Sequence, residues 1–468
     1  MSKQLSKNSW PRVRSLVPIA LKSFDRLPPF AIARAPFDWL RVSGLLAQLC
    51  AGVFRLRLAG RTSGLGQARL ISGISKNTYI AIFFCLFGAS MHALSLRKIE
   101  NFVAKLDPQI HTGVQIVELS SGEPVFAHNP QQLFVPASTT KLLTAATALH
   151  FLHPDFQFST KLFFDGNLYL KGSGDPSLTR SDLSELFAQA YEKGIVTIQG
   201  DLIIDITDFD TNWYAPGNCI DNIDSVWLRP VSGLMVDRCA VTGHVTGLCP
   251  ETATCSLNAI GKLLEQAGIE LNGTMRLART SQNAKLVAQH DSAPLQELLA
   301  HMLQTSDNLY ADCIVKRIGA TAHGEPGSWE SGTKSTQNFI RDFLELDPDQ
   351  IVIKDGSGMS RYNAISPDFF TQLLAAMYEH QYSQCFIDCL AQSGISGTLK
   401  DRMGSIPGIV KAKTGTLWGI STLAGYVTDA NGTSYAFSIL TNGAPTQQAT
   451  QSCKSGVEDP LCVIMATT

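Results

Sequence analysis

Apolar and polar residues alternate along several stretches of the chain with the period of two that is typical of half-buried strands. Gly113–Leu119 alternates in this way, Ser120–Glu123 has the composition of a turn, and Val125–Ala127 returns, which predicts a hairpin. From about residue 158 to residue 277, short apolar runs between Gly and Asp turns predict a strand-rich region. We expect one helix within it, at Leu257–Ala267.

Helical periodicity flanks the strand-rich region on both sides. Apolar spacing predicts helices at Leu142–Leu152 before it, and at Leu295–Leu303 and Ser335–Leu346 after it. Further strands are predicted near the C-terminus at Ile409–Lys413, Thr422–Thr428 and Tyr435–Leu440. A strand-rich middle between two helix-rich parts is typical of one domain inserted into another. We therefore expect an α/β (α+β) fold with a strand-rich inserted domain.

The first hundred residues differ in charge from the rest of the chain. Residues 1–98 hold fifteen Lys or Arg but only two acidic residues, Asp25 and Asp38, although the net charge of the whole chain is −2. Such an asymmetry indicates that the N-terminal region and the remainder are not one folding unit. The overall composition, 44% hydrophobic and 17% charged, is that of a globular protein.

An apolar run near the end of this basic region has the pattern of a secretory signal peptide. Tyr79–Ala89 is apolar, Lys76 precedes it, and Ala93–Ser95 has the small-x-small form of a cleavage site. The run is shorter than the about 20 apolar residues that span a bilayer. A buried helix or a membrane anchor is the alternative. We expect a signal peptide, export to the periplasm and at most peripheral membrane contact.

The predicted domain boundaries follow from these patterns. We expect a basic leader at residues 1–70, outside the mature protein, and the signal peptide at 71–95. The leader is either a gene-prediction artefact, which we favour, or an organellar transit peptide. The main domain then comprises residues 96–155 and 291–468, and residues 156–290 form the inserted domain.

Nine of the eleven cysteines follow the predicted cleavage site. Disulfides are allowed in an exported protein. Cys249 with Cys255, and Cys453 with Cys462, would close short loops, although connectivity cannot be deduced from sequence alone. Because nine is odd, at least one thiol stays free, and we expect this to be Cys313, a small apolar residue inside a helix.

Several classes of protein find no support in the sequence. It contains no P-loop, no G-x-G-x-x-G, no H-E-x-x-H and no C-x-x-C. We therefore expect no metal, no cofactor and no nucleic-acid partner.

Candidate chemistry begins at Ser138–Lys141, which has the S-x-x-K spacing. Residues three apart share one face of a helix, so the serine hydroxyl and the lysine amine can form a hydrogen bond. Pro136 lies just upstream, which predicts that Ser138 is in the first helical turn, where the positive helix end favours a neutral amine. A neutral lysine can activate a serine nucleophile. Alone the motif is weak, because Ser95–Lys98 and Ser331–Lys334 share its spacing.

Two further motifs follow in the chain. Ser306-Asp307-Asn308 is an S-x-N element after a predicted helix, and Lys413–Thr416 holds the only K-T-G. By itself the first motif is equally typical of a helix N-cap, and the second of a polar strand end. The order S-x-x-K, S-x-N, K-T-G, with each motif in the expected helix, loop or strand, is the signature of penicillin-binding proteins and related β-lactamases.

Longer segments strengthen this assignment. The sequence resembles the class C low-molecular-mass penicillin-binding proteins, the D-Ala-D-Ala carboxypeptidase and endopeptidase family, at Leu168–Leu178, Gly200–Asp205, Asp355–Asn363, Gly397–Arg402 and Ala412–Leu417. The resemblance covers roughly residues 105–445. It implies a transpeptidase/β-lactamase-like domain with an antiparallel sheet flanked by helices. It also implies insert domains before Ser306, of which the length of this chain leaves room for one, with a second reduced or missing around Cys239–Cys255.

The resemblance implies a serine DD-peptidase that acts on peptidoglycan stem peptides and is inhibited by β-lactams. Ser138 would be the nucleophile and Lys141 its base, while Ser306, Asn308 and Lys413 would assist proton transfer and hold the substrate. The segment Thr414, Gly415 and Thr416 would bind the substrate, and the backbone N–H groups of Ser138 and Thr416 would form the oxyanion hole.

Asp355, Ser357 and Arg361 belong to a family segment as well, and we expect them to build a wall of the site or a turn. Two alternatives to a peptidase remain open. The first is a β-lactamase on the same fold, and the second is an inactive cell-wall binding protein. The sequence leaves the balance of carboxypeptidase and endopeptidase activity open, and also the oligomeric state.

Overall fold

The computed structural model describes residues 96–219, 225–242, 254–324 and 326–467. The predicted leader and signal peptide, and Cys249 with its predicted disulfide, lie outside the described residues. No helix within these ranges is long and apolar enough to span a membrane.

The described residues form strands and helices in the following order. The strands are β1 (His111–Glu118), β2 (Pro124–His128), β3 (Ser159–Phe164), β4 (Leu168–Lys171), β5 (Thr197–Ile198), β6 (Leu202–Asp205), β7 (Met235–Val236), β8 (Cys239–Val241), β9 (Thr254–Cys255), β10 (Glu270–Leu271), β11 (Met275–Leu277), β12 (Lys285–Asp291), β13 (Ala391–Gln392), β14 (Val410–Leu417), β15 (Ile420–Thr428) and β16 (Ser434–Asn442). The α-helices are α1 (Thr140–Phe151), α2 (Arg180–Glu192), α3 (Leu257–Gln266), α4 (Leu295–Thr305), α5 (Asn308–His323), α6 (Trp329–Asp342), α7 (Pro367–Tyr378), α8 (Ser383–Asp388), α9 (Gln447–Cys453) and α10 (Asp459–Ala466). Residues 96–103 are also helical. Short 3₁₀ turns occupy Ala137–Thr139, Pro348–Gln350 and Gly397–Leu399, and a π-helical segment, Lys454–Glu458, joins α9 to α10.

A six-stranded antiparallel sheet forms the centre of the main domain. Its strand order is β13-β14-β15-β16-β1-β2, so the N-terminal hairpin pairs with the last strand of the chain. One face packs on α1 and on α4 to α8 in a core that includes Ala424 and Tyr426. The other face packs on the 96–103 helix and α10 through Leu423 and Val427. This alternation along β15 is what a sheet buried on both faces requires.

A second hydrophobic core lies between residues 159 and 291. A five-stranded mixed sheet, in the order β11-β6-β4-β3-β12, packs on α2 and α3. Parallel pairing of β4 with β6 and of β6 with β11 distinguishes it from the central sheet. We propose that this core is the inserted domain expected at residues 156–290, between the two parts of the main domain at 96–155 and 291–468.

The expectation of only one helix in the strand-rich region is wrong. Helix α2 precedes the predicted helix, which is α3. Thr179 begins α2 with a capping box to Asp182, and Leu183, Leu186 and Phe187 are buried beneath it at helical spacing. The sequence therefore contained both features that predict α2, an N-capping residue and apolar residues at helical spacing.

The predicted disulfide between Cys453 and Cys462 is also wrong, because both residues are free thiols. They lie nine residues apart in the uninterrupted helical stretch formed by α9, the π-helical segment and α10. A rise of about 1.5 Å per residue separates them by roughly 13 Å along the axis, which is beyond the reach of a disulfide. Cys255 is free as well, and so is Cys313, which is buried in α5 as expected.

Candidate active site

Ser138 lies in the 3₁₀ turn Ala137–Thr139 that leads directly into α1. The preceding residue, Ala137, has a φ of 48°, a left-handed conformation that is rare for a residue with a side chain. The turn is fixed by the carbonyl of Pro136, which accepts hydrogen bonds from the hydroxyls of Thr139 (2.6 Å) and Thr422 (2.8 Å). Ser138 is thereby held at the N-terminal end of a buried helix, as predicted.

Two glycines allow other backbone segments to approach this turn. A Cβ atom on Gly358 would lie 1.9 Å from the carbonyl oxygen of Ala137, and one on Gly415 would lie 2.9 Å from the backbone nitrogen of Ser138. Neither position can therefore carry a side chain without displacement of the turn. The glycines explain how the K-T-G strand and the Asp355–Asn363 segment both reach the serine.

Lys141 extends from the first turn of α1 into the interior, where its side chain is fully buried. Its Nζ donates hydrogen bonds to Ser138 Oγ (2.9 Å), Asn308 Oδ1 (2.6 Å) and the carbonyl oxygen of Ser357 (2.6 Å). One atom, Lys141 Nζ, therefore contacts the serine of the S-x-x-K motif, the asparagine of the S-x-N motif and the Asp355–Asn363 segment.

Burial lowers the pKa of Lys141 to about 8, against the opposing influence of Asp312 and Asp355. An ammonium group loses hydration when it is buried, which favours the neutral amine. The amine is therefore available as a proton acceptor at much lower pH than in an exposed lysine. This is the electrostatic condition that serine activation needs.

Ser306 and Asn308 lie at the junction of α4 and α5. Ser306 ends α4 in the left-handed conformation, with a φ of 63°, and Asn308 is the first residue of α5. The N-cap is Asp307, whose carboxylate accepts from the backbone N–H groups of Leu309 (3.0 Å) and Tyr310 (3.3 Å). Asp307, the middle residue of the motif, therefore has the capping role. The side chains of Ser306 and Asn308 remain available to the active site.

Asp307 is also held by Arg238, from the region proposed to be the inserted domain. Arg238 contacts its carboxylate with two hydrogen bonds of 2.6 and 3.1 Å, and His301 lies 3.2 Å away. Burial would raise the pKa of Asp307, but the hydrogen bonds from His301 and Arg238 hold it well below its usual range. Nearby, the Nδ2 of Asn308 donates to the carbonyl oxygen of Trp227 at 2.8 Å.

The K-T-G residues lie on β14, in register with β15. Lys413 is fully buried, and its Nζ donates to Ser306 Oγ (2.9 Å) and to the carbonyl oxygen of Thr414 (2.7 Å). Burial, and then the charge of Lys141, lower the pKa of Lys413 well below its usual range. Each of the two buried lysines thus contacts one serine of the site, Lys141 contacting Ser138 and Lys413 contacting Ser306.

The outer edge of β14 is open next to the motif. Strand β13 pairs only with Lys411 and Ala412, and no strand of the described ranges pairs with the following residues on that side. Apart from the Thr414 carbonyl oxygen, which accepts from Lys413 Nζ, the backbone groups of Thr414–Leu417 that face away from β15 can pair with an extended peptide.

Asp355 organises the turn that contacts Lys141. Its carboxylate accepts from the N–H groups of Gly358 (2.9 Å) and Ser360 (2.7 Å), from the Ser357 hydroxyl (3.1 Å) and from Asn363 Nδ2 (2.6 Å). Asp355 therefore holds the turn together, as one of the two expected roles for this segment required. Arg361 instead donates to the carbonyl oxygen of Trp418 at 3.0 Å and lines the cavity described next.

A cavity of about 590 Å³ connects these residues. Of the predicted site residues, it is lined by Ser138, Ser306, Asn308, Thr414 and Thr416. Lys141 and Lys413 lie buried behind the two serines. Among the described residues, no cluster of three or more His, Cys, Asp or Glu side chains is placed to hold a metal ion.

Sequence reasoning missed two features of the site. Asp312 is buried near Lys141 and accepts from the N–H of Gly356 at 3.2 Å, and burial followed by the charge of Asp355 raises its pKa well above the usual range. The sequence could have indicated Asp312, because it lies four positions after Asn308 and residues at this spacing share one face of a helix. The second feature is the contribution of Trp227 and Arg238, which no local pattern indicates.

Comparison with known proteins identifies the family. The sequence model of the D-Ala-D-Ala carboxypeptidase 3 (S13) family matches residues 96–253 and 248–462. A D-alanyl-D-alanine carboxypeptidase of Actinomadura sp. (strain R39) is 29% identical over 420 residues, which cover 71% of this chain and 78% of that protein. The D-alanyl-D-alanine carboxypeptidase DacB of Haemophilus influenzae is 25% identical over 449 residues, covering 80% and 94%.

Solved structures show the same fold. The crystal structure of penicillin-binding protein 4 from Haemophilus influenzae matches with a TM-score of 0.69 at 23% identity, covering 79% of this chain and 99% of that one. A predatory peptidoglycan endopeptidase from Bdellovibrio bacteriovorus matches with a TM-score of 0.50 at 17% identity, covering 76% and 92%.

The fold and site define a penicillin-binding type of serine DD-peptidase, as the sequence predicted. The chain belongs to the D-Ala-D-Ala carboxypeptidase 3 (S13) family. The resemblance to the class C low-molecular-mass penicillin-binding proteins and the α/β transpeptidase-like fold are both confirmed.

Proposed function

We propose that Ser138 is the nucleophile of this DD-peptidase and that Lys141 is its general base. The observation that carries the proposal is the 2.9 Å contact between Ser138 Oγ and the Nζ of a fully buried lysine whose pKa is lowered to about 8. A neutral amine at this distance can accept the hydroxyl proton as the oxygen attacks.

In the acylation step, the Oγ of Ser138 forms a bond to the penultimate D-Ala carbonyl carbon and its proton passes to Lys141. The C–N bond then breaks, and Ser306, which contacts the buried Lys413, donates its hydroxyl proton to the leaving nitrogen. The proton taken up by Lys141 replaces it, so that Lys141 is neutral again. Asn308 positions Lys141 through their 2.6 Å hydrogen bond. Water then attacks the ester and releases the acid, which restores the Ser138 hydroxyl.

Substrate would bind along the open edge of β14. The backbone N–H groups of Ser138 and Thr416 form the proposed oxyanion hole, where one donor is typically worth about 10²–10³ in rate. The hydroxyls of Thr414 and Thr416, which line the cavity, would bind the terminal carboxylate. Gly415 allows the close approach of β14 to the serine turn that this geometry requires.

The proposed substrates are D-Ala-D-Ala termini and D-Ala–meso-diaminopimelate crosslinks of peptidoglycan. β-Lactams imitate the terminal dipeptide and would acylate Ser138. Support comes from the relatives named as D-alanyl-D-alanine carboxypeptidases, and from a solved complex of the Haemophilus influenzae protein with a β-lactam.

Labelling with a fluorescent penicillin tests the assignment of the nucleophile. We expect a stable adduct on the peptide that contains Ser138, and no adduct in Ser138→Ala. Ser331→Ala is the matched control, because Ser331 shares the S-x-x-K spacing but belongs to the capping box of α6, whose N-cap is Ser328. An adduct on any other serine refutes the assignment. Rapid release of hydrolysed penicillin would indicate a β-lactamase, and absence of labelling an inactive binding protein.

We also propose that the protein is exported by the signal peptide at residues 71–95 and acts in the periplasm. The family of cell-wall enzymes to which it belongs supports export. N-terminal sequencing of the native protein should find a start near Leu96, and deletion of residues 1–70 should leave export intact. Peptides from residues 1–60 in the mature protein would contradict this.

A further inference from the structure

A second cavity lies beside the antiparallel pair β3–β4 and shares no lining residue with the active-site cavity. Its volume is about 300 Å³. The charged residues that line it are three cations and one acid: Lys161, Lys171, Arg317 and Asp208. We call this space the basic cavity.

Two of the cations lie directly opposite each other. Strands β3 and β4 pair with Lys161 in register with Lys171, so both side chains leave the same face of the sheet. The next pair in the register, Leu162 and Leu170, is buried in the core on the other face. Like charges opposite each other on paired strands are destabilising. The register therefore places an unfavourable pair of charges at the basic cavity.

A single carboxylate serves two of the three cations. Asp208 lies 3.0 Å from Lys171 Nζ and 3.1 Å from an Nη atom of Arg317. Among the described residues that line the cavity, Asp208 is the only acid. Three cations against one carboxylate leave an excess of two positive charges.

The ammonium group of Lys161 has no hydrogen bond or ion pair with any residue that the structure describes. Asp291 is close enough for its charge to act on Lys161. However, its carboxylate accepts hydrogen bonds from Ser159 and Gln289, and it does not line the cavity. Lys161 therefore keeps donors that a ligand in the cavity can use.

Arg317 has an unused donor as well. Its side chain is 14% exposed, and its Nε is buried without a hydrogen-bond partner among the described residues. A buried donor that has lost water and gained no partner is unfavourable. Most buried polar groups in proteins do have a partner, so such a donor calls for an explanation. An anion in the cavity would supply the acceptor.

We propose that the basic cavity binds a compact anion with two negative charges, either a phosphate or the paired carboxylates of a peptide. Lys161, Lys171 and Arg317 supply the charge, and the guanidinium fork matches the oxygen spacing of both groups. Phe156 and Phe163 line the same cavity and shield these contacts from water, which strengthens them. The site is separate from Ser138 and Lys141 and does not depend on their proposed roles.

The test titrates the purified full chain with inorganic phosphate and, separately, with succinate, by calorimetry at constant ionic strength. Lys161→Met removes one charge from the cavity and keeps the length of the side chain. Loss of one charge-assisted hydrogen bond corresponds to roughly a tenfold effect, so Kd should rise about tenfold in this variant. Tighter binding of phosphate than of succinate identifies a phosphate ligand, and the reverse identifies paired carboxylates.

Two control variants separate the charge of the cavity from the charge of the whole protein. Lys161→Arg keeps the charge and should bind within about threefold of the wild type. Lys285→Met makes the same exchange as Lys161→Met at an exposed position of β12 that does not line the cavity. It should leave Kd unchanged within about twofold.

Unfolding in urea provides an independent measurement. Without the anion, Lys161→Met relieves the repulsion from Lys171, so its unfolding midpoint should equal or exceed that of the wild type. Addition of phosphate or succinate should raise the midpoint of the wild type more than that of the variant, because the anion binds the folded state.

Absence of saturable binding of both probes to the wild type overturns the proposal, and so does binding that Lys161→Met leaves unchanged. A lower unfolding midpoint of Lys161→Met without the anion also overturns it, because Lys161 would then stabilise the fold by itself. None of these outcomes bears on the proposed nucleophile and base.

Discussion

Lys141 Nζ lies 2.9 Å from Ser138 Oγ, and burial lowers the pKa of this lysine to about 8. Two opposing requirements meet at this contact. The amine must lose its proton to act as a base, and it must keep its hydrogen bonds to Asn308 and Ser357 to remain in place. Burial with three oxygen partners meets both requirements.

We predict that acylation by a β-lactam depends on pH through Lys141. The neutral fraction of the amine increases as pH rises through about 8, so the acylation rate should increase across this region and level off above it. Stopped-flow measurement of acylation between pH 6 and 10 checks this. A rate that does not change across the range contradicts a titrating base.

Lys141→Arg should fold but acylate about 10²–10⁴ times more slowly than the wild type, since arginine keeps the charge and cannot deprotonate. Lys400→Arg makes the same exchange at an exposed position and should be silent. Penicillin labelling against time measures both variants. Near wild-type acylation by Lys141→Arg would make Lys141 a structural cation and require another base.

Arg238, in the proposed inserted domain, should influence catalysis through one ion pair. Arg238 holds Asp307, and Asp307 lies between the site residues Ser306 and Asn308. Without Arg238 the junction of α4 and α5 can shift, and misplacement of about 1 Å can cost as much as 10²-fold in rate. We expect Arg238→Met to lower kcat with a smaller change in KM.

Arg180→Met is the matched control, because it breaks an exposed ion pair with Asp237 next to Arg238 in the chain. Exposed pairs contribute little, about 0–1 kcal/mol, so this variant should keep its activity. Unfolding in urea should show both variants folded at the assay temperature. If both lose activity equally, the effect is not specific to Asp307.

The chemistry of the site was predictable from the sequence because short motifs encode it. S-x-x-K places a serine and a lysine on one helix face, and the structure shows their contact. Strands were predictable where apolar residues recur at strand spacing: the strand predicted at Tyr435–Leu440 lies within β16, Ser434–Asn442. Helix α6 begins earlier than predicted, at Trp329, because the capping serine at 328 was not used as a start signal.

The surroundings of the motifs were not predictable in the same way. Arg238 and Trp227 reach the S-x-N motif from distant parts of the sequence. Gln447 and Gln451 line the cavity from α9, which packs beside β15. Such contacts depend on tertiary packing, for which a single sequence holds no periodic signal. The position of Asp312 was predictable only in part. Its spacing from Asn308 indicated that both residues share one helix face, but nothing in the sequence indicated that Asp312 is buried.

Cys453 and Cys462 should remain thiols in the native protein. Both are buried in the helical stretch that covers one face of the central sheet, too far apart to pair without unfolding it. Alkylation in denaturant without reductant, followed by peptide mapping, should find both cysteines modified. Recovery of a linked Cys453–Cys462 peptide would contradict the structure of this stretch.

The last prediction concerns the close approach of two backbones behind the nucleophile. Gly358 has a φ of 83°, and a Cβ there would lie 1.9 Å from the carbonyl oxygen of Ala137. Gly358→Ala must therefore displace the turn that holds Ser138. We expect penicillin acylation to be lost, and the free energy of unfolding to fall by more than the about 1–3 kcal/mol that a strained backbone conformation costs alone.

Gly166→Ala separates the two effects. Gly166 also has a positive φ, of 110°, but a Cβ there would meet no atom within 4 Å. This variant should show only the conformational cost, and it should acylate at the wild-type rate because Gly166, between β3 and β4, does not line the active-site cavity. Urea unfolding and penicillin labelling of both variants measure the difference. If Gly358→Ala acylates as fast as Gly166→Ala, the serine turn tolerates displacement, and its contact with Gly358 does not position the nucleophile.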